Sequence, residues 1–195
     1  MLDFIKSRRS TRKYKQDPVE DEKIMQVVEA GRYAPSAKNC QQTHFIVIKN
    51  KDILAQLQKL VMQEFAKMDV NDANYASVAS SITMSKTGKY VFNYNAPVLI
   101  VTANRKGYDN NYADCACALE NMMLMANSLD LGSCWINQLR WLNENEVLVE
   151  YMQKLGMAEN EIVCGSLALG YADNKDGMPL RNPTPRNGNK VTVAE

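Results

Sequence analysis

Asp114-Cys-Ala-Cys-Ala-Leu-Glu-Asn-Met-Met-Leu-Met-Ala-Asn-Ser-Leu-Asp-Leu131, followed by Gly132, is the stretch on which the fold turns. An Asp at its start and a Gly just past its end mark helix boundaries. The segment is apolar on most of its circumference, so it must be covered on all sides. In a small domain that makes it a core helix that also packs against another subunit. On its amino-terminal side, Pro97-Val-Leu-Ile-Val-Thr-Ala103 has the continuous apolar character of a central strand covered on both faces, with Pro where a missing N–H matters least. On its carboxy-terminal side, Glu161 to Ala172 reads as a second buried strand ending at Gly170-Tyr171.

Further out, Asp17-Pro18 and the acidic residues after it open a helix whose stripe is Ile24, Val27, Val28 and Gly31. His44 to Lys49 is a short strand, and Ile53, Leu54, Leu57, Leu60, Val61 and Phe65 then recur at helical spacing. The Asn143-Glu-Asn-Glu146 pattern predicts a capped helix reaching Leu155. The polar 66–94 stretch is read as some helix and a mobile loop. Beyond Asp173, three prolines predict an extended arm that closes with Val191-Thr-Val193, a short strand with nothing local to pair with. No repeat or linker divides the chain, so one domain over 1–195 is expected.

Composition narrows the function. Lys and Arg number 23 against 22 Asp and Glu, a net charge of +1, so no global field draws the chain to nucleic acid or an anionic membrane. No apolar run approaches the roughly 20 residues of a membrane span, and Met1-Leu-Asp-Phe-Ile-Lys is acidic where a signal peptide is basic; a soluble cytoplasmic protein is expected. Five cysteines, Cys40, Cys115, Cys117, Cys134 and Cys164, show neither disulfide nor zinc spacing, and Cys115 and Cys117 point to different helix faces. No metal site is expected. His44 is the sole histidine, which excludes two-imidazole metal sites and hydrolytic triads within one chain.

Two segments carry chemistry. Ser7-Arg-Arg-Ser-Thr-Arg-Lys-Tyr14 concentrates Arg8, Arg9, Arg12 and Lys13 among hydroxyls. Taken alone it reads as a solvated basic patch, yet an arginine and a serine two apart can surround one phosphate. Ala34-Pro-Ser-Ala-Lys-Asn-Cys-Gln-Gln42 is either an ordinary turn or a loop whose Ser36, Asn39 and backbone amides bind the polar edge of a heterocycle.

In their order and spacing these segments resemble the nitroreductase family of FMN-dependent oxidoreductases. Its Arg-x-Ser-x-basic-aromatic opening appears as Arg8-Arg-Ser10-Thr-Arg12-Lys-Tyr14, and its Pro-Ser-x-x-Asn-x-Gln pattern as Pro35-Ser-Ala-Lys-Asn39-Cys-Gln41. Leu131 to Ile136, Leu169 to Tyr171 and Arg186 extend the likeness over nearly the whole chain. The resemblance implies an α+β nitroreductase-like fold, a central and mostly antiparallel sheet flanked by helices, in an intertwined homodimer that exchanges carboxy-terminal arms and shares its active sites. It implies that Arg8, Arg9, Ser10 and Arg186 hold the FMN phosphate and ribityl. Arg12 falls at the pyrimidine edge, where a fixed cation stabilises the reduced flavin. Pro35, Ser36, Ala37 and Asn39 border the flavin from the other subunit, and Asn137, Gln138, Leu139 and Gly170 lie near the ring.

The same resemblance implies hydride transfer from NAD(P)H to flavin N5 and on to an acceptor by ping-pong, with no catalytic side chain. Nitroaromatics and quinones are the expected acceptors. No Rossmann Gly-x-Gly-x-x-Gly occurs, so the nicotinamide is held transiently. Gln42-Thr43 replaces the family's Pro-Trp at the substrate pocket, and Thr184 replaces a basic residue, leaving Arg181 or Lys190 to compensate. Other readings stay open: a relative performing dehalogenation, flavin breakdown or azoline oxidation, a flavin-binding protein without turnover, or a plain α+β domain with a basic surface.

Overall fold

The computed structural model describes residues 1–71 and 73–194; position 72, inside the 66–94 stretch, and position 195 lie outside them. Twelve-residue helix α2 (Asp21–Arg32) follows the short α1 (Leu2–Ser7) and buries Ile24, Val27, Val28 and Gly31, the stripe read from the sequence. Strand β1 (His44–Ile48) leads into α3 (Lys51–Ala66), which Asn50 caps by accepting from the amides of Asp52 and Ile53. Helix α4 (Ala76–Lys86) is the helix of the loosely patterned stretch. Strand β2 (Val98–Arg105), helix α5 (Asn111–Ser128), strand β3 (Gly132–Ile136), helices α6 (Gln138–Trp141) and α7 (Glu146–Lys154), and strand β4 (Glu161–Gly170) complete the order.

The four strands form one antiparallel sheet in the order β1-β2-β4-β3. Because side chains alternate across a strand, β2 feeds two cores. Val98 and Ile100 join Ile24, Val27, Leu119, Met122 and Met123 beneath α2 and α5. Leu99, Val101 and Ala103 join Leu57, Val61, Phe65, Leu139 and Met152 beneath α3, α6 and α7. The strand expected to be central and covered on both faces is so.

Several local expectations need correction. Helix α5 starts at Asn111, so Asp114 is in its first turn rather than at its cap. The left-handed residue after it is Asp130 (φ 61°) and not Gly132. Gly132 instead opens β3, an edge strand, with the Cβ that any other residue would carry falling 2.7 Å from Thr11 Cγ2 and 2.8 Å from Thr11 Cβ. Asn145, not Asn143, caps α7 by accepting from the Leu148 amide at 2.9 Å. Asn143 is diverted to the sheet, where its side chain donates to Val163 O at 2.8 Å and accepts from Val163 N at 3.0 Å. Val191 to Val193 is exposed and not a strand, because a strand exists only when another supplies its ladder. Cys115 faces the core and Cys117 is exposed, as their spacing required.

The amino-terminal segment after α1 lies across the ends of β3 and β4. Thr11 N donates to Ser133 O and Lys15 N to Tyr171 O, while Asp173 N donates to Lys13 O, each at 2.9 Å. Tyr14 is buried, its hydroxyl donating toward Thr11 O at 2.8 Å and lying 3.3 Å from Ala168 O; burial pushes its phenol well above the ordinary value. Gly132→Ala wedges a methyl between β3 and this segment, and turning the Thr11 side chain cannot relieve a clash with its Cβ. The expected cost is about 1–3 kcal/mol, read as a lowered urea midpoint, with part recovered in the Gly132→Ala/Thr11→Gly double variant.

Candidate functional site

The basic segment is held rigidly enough to aim its side chains. Arg8 is mostly buried; its Nε stands 3.9 Å from Glu120 Oε1, and its Nη1 is buried without an acceptor. Arg9 Nη1 donates to Asn182 O at 2.6 Å, joining the segment to the arm. Ser10 bridges to Ser133 and lines a groove of about 220 Å³ with Arg9, Arg12 and Leu180. Arg12 lies over the Tyr94 ring, 5.9 Å from its centroid, and also lines an adjoining groove of about 540 Å³ that includes Lys13, Lys89, Tyr90 and Asp173.

The second segment lies elsewhere. Pro35, Ser36 and Asn39 line a cavity of about 480 Å³ with Gly31, Phe45, Asp114 and Ala118, and this cavity shares no lining residue with the two grooves. Its loop holds Lys38, Asn39 and Gln41 in the left-handed region (φ 53°, 54° and 52°). Side chains disfavour that region, and such strain gathers where surrounding contacts over-determine a functional loop. Here Ser36 Oγ accepts from Gln41 N at 3.0 Å, and Asp114 Oδ1 accepts from Ala37 N at 3.3 Å. Asp114 Oδ2 also accepts from Tyr108 OH at 3.1 Å, and the Cys40 thiol meets Tyr108 OH at 3.3 Å. The Cys40 hydrogen bond, then desolvation, then Asp114 push the Tyr108 phenol up to about 12.

The remaining sequence candidates are distributed unevenly. Asn137 Oδ1 accepts from Trp135 Nε1 at 2.9 Å. Gln138 Nε2 donates to Tyr90 OH at 2.7 Å, and Tyr90 OH pairs with Ser81 Oγ at 2.9 Å. Leu139 is wholly inside the core, so only its backbone remains for a ligand. Gly170 is a packing glycine, since a Cβ there would meet Pro97 Cδ at 2.6 Å. Arg186, in the exposed arm, donates to Thr184 O at 3.3 Å, a bond within the arm itself. Arg181 is no reserve for it: its guanidinium is engaged by Asn127 O at 2.7 Å and by the Asp130 carboxylate.

Asp114, Tyr108, Tyr90, Tyr94 and Glu120 were not among the sequence candidates. Asp114 looked like a helix start, and the tyrosines sat in stretches without periodicity. Asn93, beside Tyr94, is fully buried with its Nδ2 unpartnered while its Oδ1 accepts from Gln58 Nε2 at 2.8 Å.

The model of the nitroreductase family matches residues 5–171. The chain belongs to the nitroreductase family. An FMN-bound nitroreductase structure from Bacteroides fragilis is 34% identical, with 100% of this chain and 98% of that chain covered and a TM-score of 0.86. A nitroreductase structure from Desulfitobacterium hafniense, at 24% identity, covers 100% and 97% with a TM-score of 0.82, a likeness of fold. A protein of Archaeoglobus fulgidus, provisionally named NADH dehydrogenase/NAD(P)H nitroreductase, is 30% identical over 90% of this chain and 87% of its own. The nitroreductase fold expected from the motifs is the fold found. No helix among the described residues is long and apolar enough to cross a membrane.

Tyr108 gives the loop's anchorage a pH signature. Its folded-state value of about 12 exceeds the ordinary 10.0, so the folded chain holds the proton more tightly. That contribution is complete below about pH 10 and fades as pH rises towards 12. A phenolate absorbance titration should show one tyrosine titrating near 12 that moves towards 10 in Cys40→Ala and in Asp114→Asn. A wild-type curve without it overturns the assignment.

Proposed function

We propose that the chain is an FMN-dependent oxidoreductase that takes hydride from NAD(P)H and delivers it, by ping-pong in one pocket, to flat electron-poor acceptors such as nitroaromatics and quinones. The observation that carries this reading is Arg8, whose Nη1 is buried without an acceptor in a segment fixed to the sheet by backbone hydrogen bonds. A buried guanidinium N–H without a partner is costly unless a ligand completes it, and a phosphate suits its geometry. Arg9 and Ser10 follow it in the chain and line the groove of about 220 Å³. Arg12, with no carboxylate within salt-bridge distance among the described residues, supplies the fixed positive charge at the ring's pyrimidine edge. The Bacteroides fragilis relative, which carries FMN, supports the same cofactor here.

FMN supplies the hydride-accepting and hydride-donating centre, so no side chain is needed as nucleophile or base. The protein's part is to grip the phosphate, fix the charge at the pyrimidine edge and wall the pocket against water. Asn137, Gln138, the Leu139 backbone and Gly170 form the wall near the ring. Pro35, Ser36, Ala37 and Asn39 approach from a second copy, because within one chain their cavity is separate from the grooves of the basic segment.

The homodimer with shared sites is supported by apolar groups left uncovered. Helix α1 buries nothing, and Leu180, Val191 and Val193 are 66%, 87% and 78% exposed. The arm carrying Arg186 is free to reach across a partner. Five unpaired thiols suit a reducing, cytoplasmic setting, and one domain over 1–195 suits the two cores built on one sheet.

Purified protein should show a flavin spectrum that bleaches anaerobically with NADH or NADPH and returns on adding a quinone or nitroaromatic; a protein that takes up no FMN rejects the proposal. Arg8→Ala and Arg186→Glu should each weaken FMN binding about tenfold or more, given the roughly 1.5–3 kcal/mol of a charged hydrogen bond. Unchanged occupancy in either variant removes that residue from the site. Deleting residues 183–195 should yield a monomer by light scattering that no longer retains FMN; a truncated dimer would reject arm exchange as the dimer's support.

A further inference from the structure

The groove of about 540 Å³ is charged out of proportion to the chain that forms it. Overall the chain is within one charge of neutrality, and many surface cations are paired, such as Lys49 with Asp21, Lys67 with Glu64 and Lys86 with Asp69. Arg12, Lys13 and Lys89 all line this groove, and none has a carboxylate within salt-bridge distance among the described residues. Asp173 is the groove's one acidic lining residue.

The groove also has flat, fixed walls. Tyr90 is held by Gln138 and Ser81, so its hydroxyl is already engaged. Tyr94 and Asn95 both occupy the left-handed region (φ 56°), with Asn95 O accepting from Gln16 Nε2 at 2.9 Å. This pair therefore presents the Tyr94 ring from a constrained backbone. Under the proposed function Arg12 belongs to the flavin's pyrimidine edge. Lys13 is tied through its carbonyl to the backbone of Asp173, whose carboxylate offsets one charge in the groove. Lys13 also lines the smaller groove, whereas Lys89 lines this one alone and is left without an assignment.

We propose that this groove selects an acceptor whose flat, electron-poor ring carries an anionic substituent such as a carboxylate, and that Lys89 is the counter-charge that determines this preference. The proposal rests on the flavin-dependent function proposed above. A cation lining an open groove attracts anions of the right shape and leaves neutral rings of equal size unaffected. Tyr90 and Tyr94 line the groove beside Lys89 and give a flat ring apolar surface to lie against, and one aromatic ring fits the volume available.

The test compares 4-nitrobenzoate with 4-nitrobenzamide in the flavin-loaded enzyme, a pair matched in size whose neutral member is at least as electron-poor. The acid should exceed the amide in kcat/KM by about fivefold or more at low ionic strength, with the ratio falling towards one near roughly 0.5 M salt. Lys89→Glu should lower the ratio about tenfold, as reversal of one nearby charge requires, while Lys89→Arg retains it. Benzoate and benzamide, which are not reduced, should show the same preference in dissociation constants read from flavin absorbance.

A ratio at or below one, or a ratio unchanged in Lys89→Glu, overturns the proposal. A Lys89→Glu enzyme that shifts its NADPH to NADH ratio but keeps the acceptor ratio overturns it too, by assigning Lys89 to the donor's extra phosphate. Failure to bind FMN removes the proposed function and this inference with it. A flavin-loaded, active enzyme without the preference removes this inference alone.

Discussion

Three backbone hydrogen bonds, from Thr11 to Ser133, from Lys15 to Tyr171 and from Asp173 to Lys13, fasten the basic segment across the ends of two strands, and the site depends on them. Cations on a free amino-terminal tail would repel one another and disperse into solvent. Pinned at alternate positions, the segment buries Tyr14 and turns Arg8, Ser10 and Arg12 to fixed places. The absence of side chains at Gly132 and Gly170 makes the pinning possible: each lies where a Cβ would strike the segment or the Pro97 that packs beside it.

Helix α5 performs the complementary task. Its Leu119, Met122 and Met123 pack beneath the sheet and hold α2 against it. Its first turn carries Asp114, which holds the strained Pro35–Gln41 loop through Ala37 N and the Tyr108–Cys40 pair. The core helix thus positions one half of the candidate site while the strand ends position the other. Under the proposed homodimer a cofactor bound between them is bound by two chains, and cofactor affinity is then linked to association.

Elements whose identity is local were legible in the sequence. The stripe of α2, the β1–α3 sequence and the two continuously apolar strands depend on side-chain periodicity, and the structure has all of them. Elements whose identity is borrowed from neighbours were not. Gly132–Ile136 is a strand because β4 offers it a ladder, and its small first residues give no periodic signal. Asn143 and Asn145 are equally good caps in isolation; the sheet's Val163 claims the first and leaves α7 to the second. At the site, the motif residues Arg9, Ser10 and Arg12 line one groove while Arg8 turns to Glu120, and Pro35, Ser36 and Asn39 line one cavity. What joins the halves, and which tyrosines wall the groove, are tertiary facts. Leu139 shows the limit from the other side: a motif position beside the expected ring has its side chain committed wholly to the core.

Strain marks the same places as charge. Of the non-glycine residues in the left-handed region among the described residues, Asn39 and Gln41 line the cavity with Lys38 next to them in its loop, and Tyr94 and Asn95 line the groove, while Asp130 follows α5 and pairs with Arg181. Each costs about 1–2 kcal/mol, less for Asn and Asp. Glycine would adopt these angles freely, but it would leave each loop many other conformations and no side chain to present. A loop that must hold a ring face or an amide towards a ligand gains more from being confined than it loses in strain, provided that other contacts enforce the angle. Ser36 and Asp114 enforce it at the cavity, and Gln16 and Gln58 do so beside the groove. Under the proposed function the strained backbone is thus a positioning device in both halves of the site, built from residues that fold against it.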